Sequence, residues 1–392
     1  MSGPSRSRSP LSSGVRSQLW WAPKLLPVLA AATMAALTAI AEPAPTLVRL
    51  GAMLVSAVGL AAAAHLVNDW ADIGSDAAAD KPNMVAAISP LQRMTLIAAT
   101  YSWGIAPWLL VRPGSAAIAL LGLLVVLPMI YSVRPLRLKG RGLLGVIADA
   151  LNAHVAPTAF AFVLVVEQGT ATAGWKLAFA GALVWSFGFG VRGILNHQSV
   201  DRSNDRLANV QTFVVRRGRR ATLRLGWLAL YIEIAGLVAM AVAVGMTAPW
   251  AAAVLVAYLG LWLLDRRWES RPFHPVPDRS DAWMPLAEFY EVWPLVVFTI
   301  ALCAHDTGWW PLPIAVLVGF RRPVAKQTSD LAALLSHVFK DLRTTGAWAG
   351  WRLSSAAIRF SYSAAVVTRT RASPRRSRCS TGSGPNCENR GQ

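Results

Sequence analysis

The chain has 392 residues, of which 54% are hydrophobic and 15% charged, and its formal net charge is +18. A soluble domain usually carries about 25% charged residues, so this composition excludes an ordinary soluble protein of two or three domains and points to helices buried in lipid. The charge sits mostly at the ends: residues 1–24 contribute +4 and residues 321–392 contribute +10. Basic tails beside a membrane meet anionic lipid, and no recognition motif accompanies these, so no nucleic-acid partner is expected. Cys303, Cys379 and Cys387 have neither zinc-site nor redox spacing.

In chain order, residues 1–20 form a Ser/Arg-rich basic tail expected to be disordered. Apolar runs follow at about 24–41, 48–67, 92–111, 114–131, 143–165, 174–196, 222–245, 248–265 and 286–304. Roughly 20 apolar residues cross a bilayer as a helix, so these runs predict an all-α fold, a polytopic membrane bundle of about nine transmembrane helices occupying residues 21–320. A further run, 308–320, is short for a span. Residues 321–392 form a second basic tail. Within it Leu331, Leu334, Leu335, Val338, Phe339 and Leu342 recur at helical spacing, which predicts an amphipathic helix on the membrane surface. Residues 370–392 are expected to be disordered.

The loops after the even-numbered spans are longer and basic. Arg134, Arg137, Lys139 and Arg141 follow the fourth; Arg202, Arg206, Arg216, Arg217, Arg219 and Arg220 follow the sixth. The positive-inside rule places these loops in the cytoplasm, which predicts a multi-pass protein of the cell membrane. Nine spans put the C-terminal tail outside and ten bring it inside.

Two of these loops also carry acid. The second span ends in Asn68-Asp69-Trp70-Ala71-Asp72-Ile73-Gly74-Ser75-Asp76, an NDxxDxxxD pattern. On a continuing helix Asn68, Asp72 and Asp76 fall four residues apart and share one face. Carboxylates at that spacing repel, and near lipid they are costly. A divalent cation removes both penalties, and Mg²⁺ takes such hard oxygens together with substrate phosphate. The sixth span ends in Asn196-His197-Gln198 followed by Asp201 and Asp205, again four apart, with Thr212 downstream. Both motifs belong to loops on one predicted side, so they can face each other across one cavity. Between them lies Tyr131-Ser132-Val133-Arg134-Pro135-Leu136-Arg137-Leu138-Lys139, whose cations could neutralise a diphosphate, and Lys81 offers another phosphate contact.

NDxxDxxxD, the later DxxxD and the intervening YSxxPxRxK stretch, in this order, resemble the UbiA superfamily of intramembrane prenyltransferases over about residues 24–305. The resemblance implies nine helices around a cavity open laterally to lipid, and Mg²⁺ bound by both Asp motifs and bridged to the diphosphate of a prenyl donor. It implies ionisation to an allylic carbocation that a lipophilic acceptor attacks. Carried onto this chain, Asn68, Asp69, Asp72 and Asp76 with Asp201 and Asp205 are the expected metal residues. Asp72, Asp201 and Lys139 are the expected catalytic residues, and Asn68, Tyr131, Arg137, Lys81 and Asn152 the expected substrate contacts. Two features depart from the family's pattern: Asp80-Lys81-Pro82-Asn83 stands where many members are arginine-rich, and His197-Gln198 where others are often acidic.

Ionisable or polar residues inside spans are functional candidates, or else interhelical hydrogen bonds. Here they are Asp149, Asn152 and His154 in the fifth span, Arg192 in the sixth, Glu233 in the seventh, and Glu288 and Glu291 near the ninth. The first three could line an acceptor pocket. Trp103 and Trp185 could stack on an allylic cation, or simply pack. A catalytically inactive lipid-binding subunit and a cation-coupled transporter are the competing readings. Transporter acids tend to sit in broken helices at mid-membrane, whereas these lie at helix ends.

Overall fold

The computed structural model describes residues 17–170, 172–268, 274–277 and 292–344. Of the tail expected to be disordered over 1–20, residues 17–20 open the first helix and 1–16 lie outside the described residues, as do 370–392, Glu288 and Glu291. The regular structure described is helical throughout: α1 Ser17–Thr38, α2 Pro43–Ala78, α3 Pro90–Val111, α4 Ser115–Ser132, α5 Leu143–Val166, α6 Trp175–Val200, α7 Arg202–Leu207, α8 Phe213–Gly245, α9 Pro249–Trp268, α10 Trp293–His305, α11 Pro311–Gly319 and α12 Arg321–Thr344.

Six of these, α2 to α6 and α8, are long and apolar enough to cross a membrane. The expected nine is not reached by that measure. The apolar parts of α1, α9 and α10 (Ala22–Thr38, Pro249–Gly260 and Trp293–His305) fall among helices of 10–17 residues, as does Thr307–Gly319. The chain is an integral membrane protein of all-helical fold.

Small residues set the packing. α1 contributes the Ala30–Ala36 stretch, in which Ala32, Met34 and Ala35 are fully buried, and it seats against α5 and α10. Without a water-driven hydrophobic force, helices in lipid associate through close backbone contact and interhelical hydrogen bonds. Gly59 of α2 and Gly104 of α3 supply such a contact: a Cβ on Gly59 would stand 2.4 Å from the Gly104 nitrogen. Beside it Trp108 Nε1 donates to Ser56 Oγ at 2.9 Å, and Ser56 Oγ donates to the Gly104 carbonyl at 2.5 Å. Gly236 of α8 does the same against α6, where a Cβ would meet the Trp185 nitrogen at 2.3 Å.

Helix ends follow local chemistry. α3 opens with a capping box in which Ser89 and Gln92 satisfy each other's backbone nitrogens, with Pro90 at the first helical position. α2 runs for 36 residues, well beyond the predicted end at 67. At 1.5 Å per residue it reaches about 54 Å, far more than the roughly 30 Å hydrocarbon core, so its last turns stand clear of the lipid. The segment that was expected to be a loop after the sixth span is also largely helical. Arg216, Arg217, Arg219 and Arg220 lie within α8, which bends at Gly218, where φ is +72°. The left-handed region is open to glycine without a Cβ penalty, so the chain can turn there.

At the opposite ends of these helices, Arg49 of α2 pairs with Glu167 after α5 at 2.5 Å, and Glu167 also accepts from the Gly114 nitrogen at 3.0 Å. α12 continues directly from α11, with Phe320 buried at the junction and Gln327 2% exposed. The expected amphipathic helix thus begins at Arg321 and is anchored to the bundle at its first turns.

Candidate active site

The protruding end of α2 carries the whole first acidic motif in helical register, so Asn68, Asp72 and Asp76 stack along one face. Each meets a different partner. Asn68 Oδ1 accepts from Ser132 Oγ at 3.1 Å and from Lys139 Nζ at 2.9 Å. Asp72 Oδ1 accepts from Lys139 Nζ at 2.5 Å and from Arg137 Nη2 at 3.1 Å. Asp76 Oδ2 accepts from Asn83 Nδ2 at 2.7 Å. Asp69 lies on the packed face, only 5% exposed, and joins this network through its main-chain carbonyl, which also accepts from Asn83 Nδ2 at 2.7 Å.

The cations reach Asp72 because of the connection between α4 and α5. Arg137 adopts a left-handed conformation, φ +33°, and caps the short 3₁₀ turn Leu138–Gly140. That turn brings Arg137 and Lys139 onto the same carboxylate oxygen. Lys139 is 8% exposed. Burial pulls its ammonium below the usual lysine range, with the Asp72 carboxylate acting in the other direction.

The second motif faces the first. Lys81, just beyond α2, places Nζ 3.4 Å from Asp201 Oδ2, and His197 Nδ1 stands 3.9 Å from the same oxygen. Asp205, four residues on in α7, accepts from Thr212 Oγ1 at 3.2 Å, and burial pushes its carboxyl above the usual range. The backbones of Gly142 and Thr212 form a parallel bridge, tying the α4–α5 connection to the second motif. Tyr131, at the end of α4, shares a side-chain hydrogen bond with Asp149 of α5 and lies within the electrostatic reach of both Asp72 and Asp205. Ten of the expected site residues, Asn68, Asp69, Asp72, Asp76, Lys81, Tyr131, Arg137, Lys139, Asp201 and Asp205, are therefore gathered at one end of the bundle in several neighbouring hydrogen-bonded groups.

Asn152 sits deeper, in a π turn, Leu151–Val155, that interrupts α5. His154 in the same turn packs edge-on against Phe189 of α6, ring centroids 5.2 Å apart, where Gly190 leaves room for it. π turns inside helices recur at functional sites. Further along, Pro27, Ala31, Trp185, Met240, Leu255 and Phe298 line an apolar cavity between α1, α6, α8, α9 and α10. Trp185 stacks against Phe189 there with planes 3° apart, whereas Trp103 is 59% exposed on α3, outside this cavity.

Two features were less visible in the sequence. Asn83, beside the expected Lys81, is the residue that pins Asp76. In the second, Arg192 and Glu233 form a fully buried bidentate pair, Nε–Oε2 2.6 Å and Nη2–Oε1 2.8 Å, joining α6 to α8. Arg192 also donates to the Pro275 carbonyl at 3.3 Å, and Asn196 donates to that of Pro277 at 2.8 Å. Residues 274–277 thus strap the end of α6 just before Asp201, with Val276 buried against Gly226. An Arg and a Glu in separate apolar spans were the only sequence signal for this pair.

Among the described residues no three acidic, histidine or cysteine side chains converge as a closed metal cage. The carboxylates instead come in pairs on two facing helix ends, surrounded by three lysine or arginine side chains. That donor set fits a hard cation whose remaining ligands are phosphate oxygens and water.

No curated protein matches the chain. By structure it is similar to a UbiA homolog from Archaeoglobus fulgidus bound to DMAPP and Mg²⁺, with TM-score 0.50 and 15% identity over 76% of this chain and 99% of that one. The same homolog bound to GPP and Mg²⁺ gives TM-score 0.50 and 17% identity over 77% and 99%. At such identities the likeness speaks for the fold. The family model for the UbiA prenyltransferase family matches residues 25–284, two thirds of the sequence and every site residue above, and the chain belongs to that family.

Proposed function

We propose that the protein transfers a prenyl group from a prenyl diphosphate to a lipophilic acceptor within the cell membrane, with Mg²⁺ as cofactor. The observation that carries this reading is the meeting of the two acidic motifs, with Lys81 reaching from one to Asp201 of the other, directly above an apolar bundle. The archaeal homologs hold Mg²⁺ with DMAPP or GPP, which supports the donor class. Bound Mg²⁺ would supply electrostatic stabilisation of the leaving diphosphate.

The chain's own residues do the remainder. Asn68, Asp72 and Asp76 would hold one ion and Asp201 and Asp205 another. Lys139, Arg137 and Lys81 aim positive charge at the space where diphosphate gains negative charge as the C–O bond breaks. Their present carboxylate partners hold them in place, so little reorganisation is needed. The apolar walls take the isoprenoid tail and keep water from the allylic cation. Asn152 and His154, in the π turn below the charged site, would face the acceptor, and Tyr131 with Asp149 stands between donor and acceptor. The arginine-rich start of α8 lies on the same side as the motifs, which supports a cytoplasmic position for the site.

The test is turnover of radiolabelled prenyl diphosphates of several chain lengths by purified protein, with a panel of aromatic and lipid acceptors. Metal-dependent transfer to at least one acceptor is the expected result. Failure of every donor to react, with or without Mg²⁺, would count against an active enzyme and favour a lipid-binding subunit.

A further inference from the structure

We propose that the start of α8 carries a docking site for an anionic phospholipid of the leaflet flanking the acidic motifs. Arg220 and Arg224 are four residues apart on one face of α8, Arg217 reaches the same groove from before the bend at Gly218, and all three are exposed. They border a shallow groove floored by Ala221, Leu225 and Leu228. The ion pairs found among the described residues leave these three arginines out.

Like charges at this spacing repel, and the first turn of α8 holds no acid to offset them. An anionic ligand would supply the counter-charge that no described acidic side chain provides. The same face says what kind of molecule brings it. Within two turns of Arg224 it becomes apolar: Leu228 is 55% exposed and Tyr231 63%, and Trp227 stacks on Tyr231 with centroids 6.1 Å apart. Exposed aromatics beside exposed aliphatics mark the edge of the hydrocarbon layer. Arg220 and Arg224 therefore span about 6 Å of headgroup depth, at 1.5 Å per residue. A phosphodiester with acyl chains satisfies both halves of the face. Its phosphoryl oxygens accept from guanidinium forks, and its chains lie along Leu228 and Tyr231. A soluble anion would use only the upper half.

The test is native mass spectrometry of the full chain released from detergent with phosphatidylglycerol and phosphatidylcholine present in equal amounts. The wild type is expected to retain phosphatidylglycerol several-fold over phosphatidylcholine. The triple variant R217Q/R220Q/R224Q is expected to lose that preference while its circular dichroism is unchanged. Should the triple variant fail to fold, Arg224→Gln alone is expected to weaken the preference. An excess of soluble glycerol phosphate is expected not to displace the lipid. An unchanged preference in the variants, no preference in the wild type, or displacement by glycerol phosphate would each overturn the proposal. None of these readouts depends on prenyl transfer.

Discussion

Asp72 and Lys139 concentrate the chemistry of the site: one carboxylate oxygen receives both an ammonium and a guanidinium, while Asn68 receives the same ammonium from the side. Removing Lys139 leaves Asp72 under-compensated and, on the proposed mechanism, withdraws a charge that faces the leaving group. Lys139→Met is expected to lower prenyl transfer by about 10²–10³-fold, the scale set by deleting one preorganised electrostatic contact, measured as kcat at saturating donor. Asn83 acts differently, since of the two motifs it touches only the first. Asn83→Ala frees Asp76 and unpins the Asp69 carbonyl, a loss of about 1–3 kcal/mol for groups left without a partner. Its expected signature is weaker Mg²⁺ activation at little-changed donor affinity in metal excess. At this scale the sequence was informative where residues follow a pattern. Asn68, Asp72, Asp76, Asp201 and Asp205 fall at helical spacing, and their places could be foreseen. Asn83 follows no period, and its role depends on how the chain turns back after α2.

At the scale of elements, the strap 274–277 and the Arg192–Glu233 pair fix the end of α6. A buried ion pair is modest evidence for stability, yet breaking one leaves a charge stranded. Glu233→Ala is expected to cost about 3–5 kcal/mol, read as a drop in the unfolding midpoint in detergent. A double change to Arg192→Met and Glu233→Leu should recover much of it. Gly226→Leu would drive a side chain into Val276, whose Cγ2 already lies 2.5 Å from an ideal Cβ there. The expected outcome is displacement of the strap, seen as increased proteolysis near Val276, with reduced transfer activity because Asn196 loses the Pro277 carbonyl. Element existence was legible from hydropathy, and element ends were not. α2 overran its predicted end by eleven residues because polar residues Asn68 to Asp76 continue the helix beyond the lipid, where hydropathy carries no signal. The start of α8 was hidden for the same reason, its first turns being basic and broken by Gly218.

For the whole molecule, the bundle does one thing: it holds a polar, charged end over an apolar interior. The three cations that pair with Asp72 and Asp201 are the groups a diphosphate would meet, so metal and donor are expected to bind together rather than independently. The fold and the pairing of the two motifs were readable from the order of NDxxDxxxD, YSxxPxRxK and DxxxD. The contacts that join them, Lys81 to Asp201 and Gly142 to Thr212, are long-range and left no local pattern. The most direct measurement is equilibrium binding of labelled geranyl diphosphate to the purified protein, with Mg²⁺ and with chelator, for the wild type, Asp72→Ala and Asp201→Ala. The account predicts metal-dependent binding in the wild type and its loss in both variants, with the fold intact by circular dichroism. Wild-type affinity and metal dependence in either variant would contradict it.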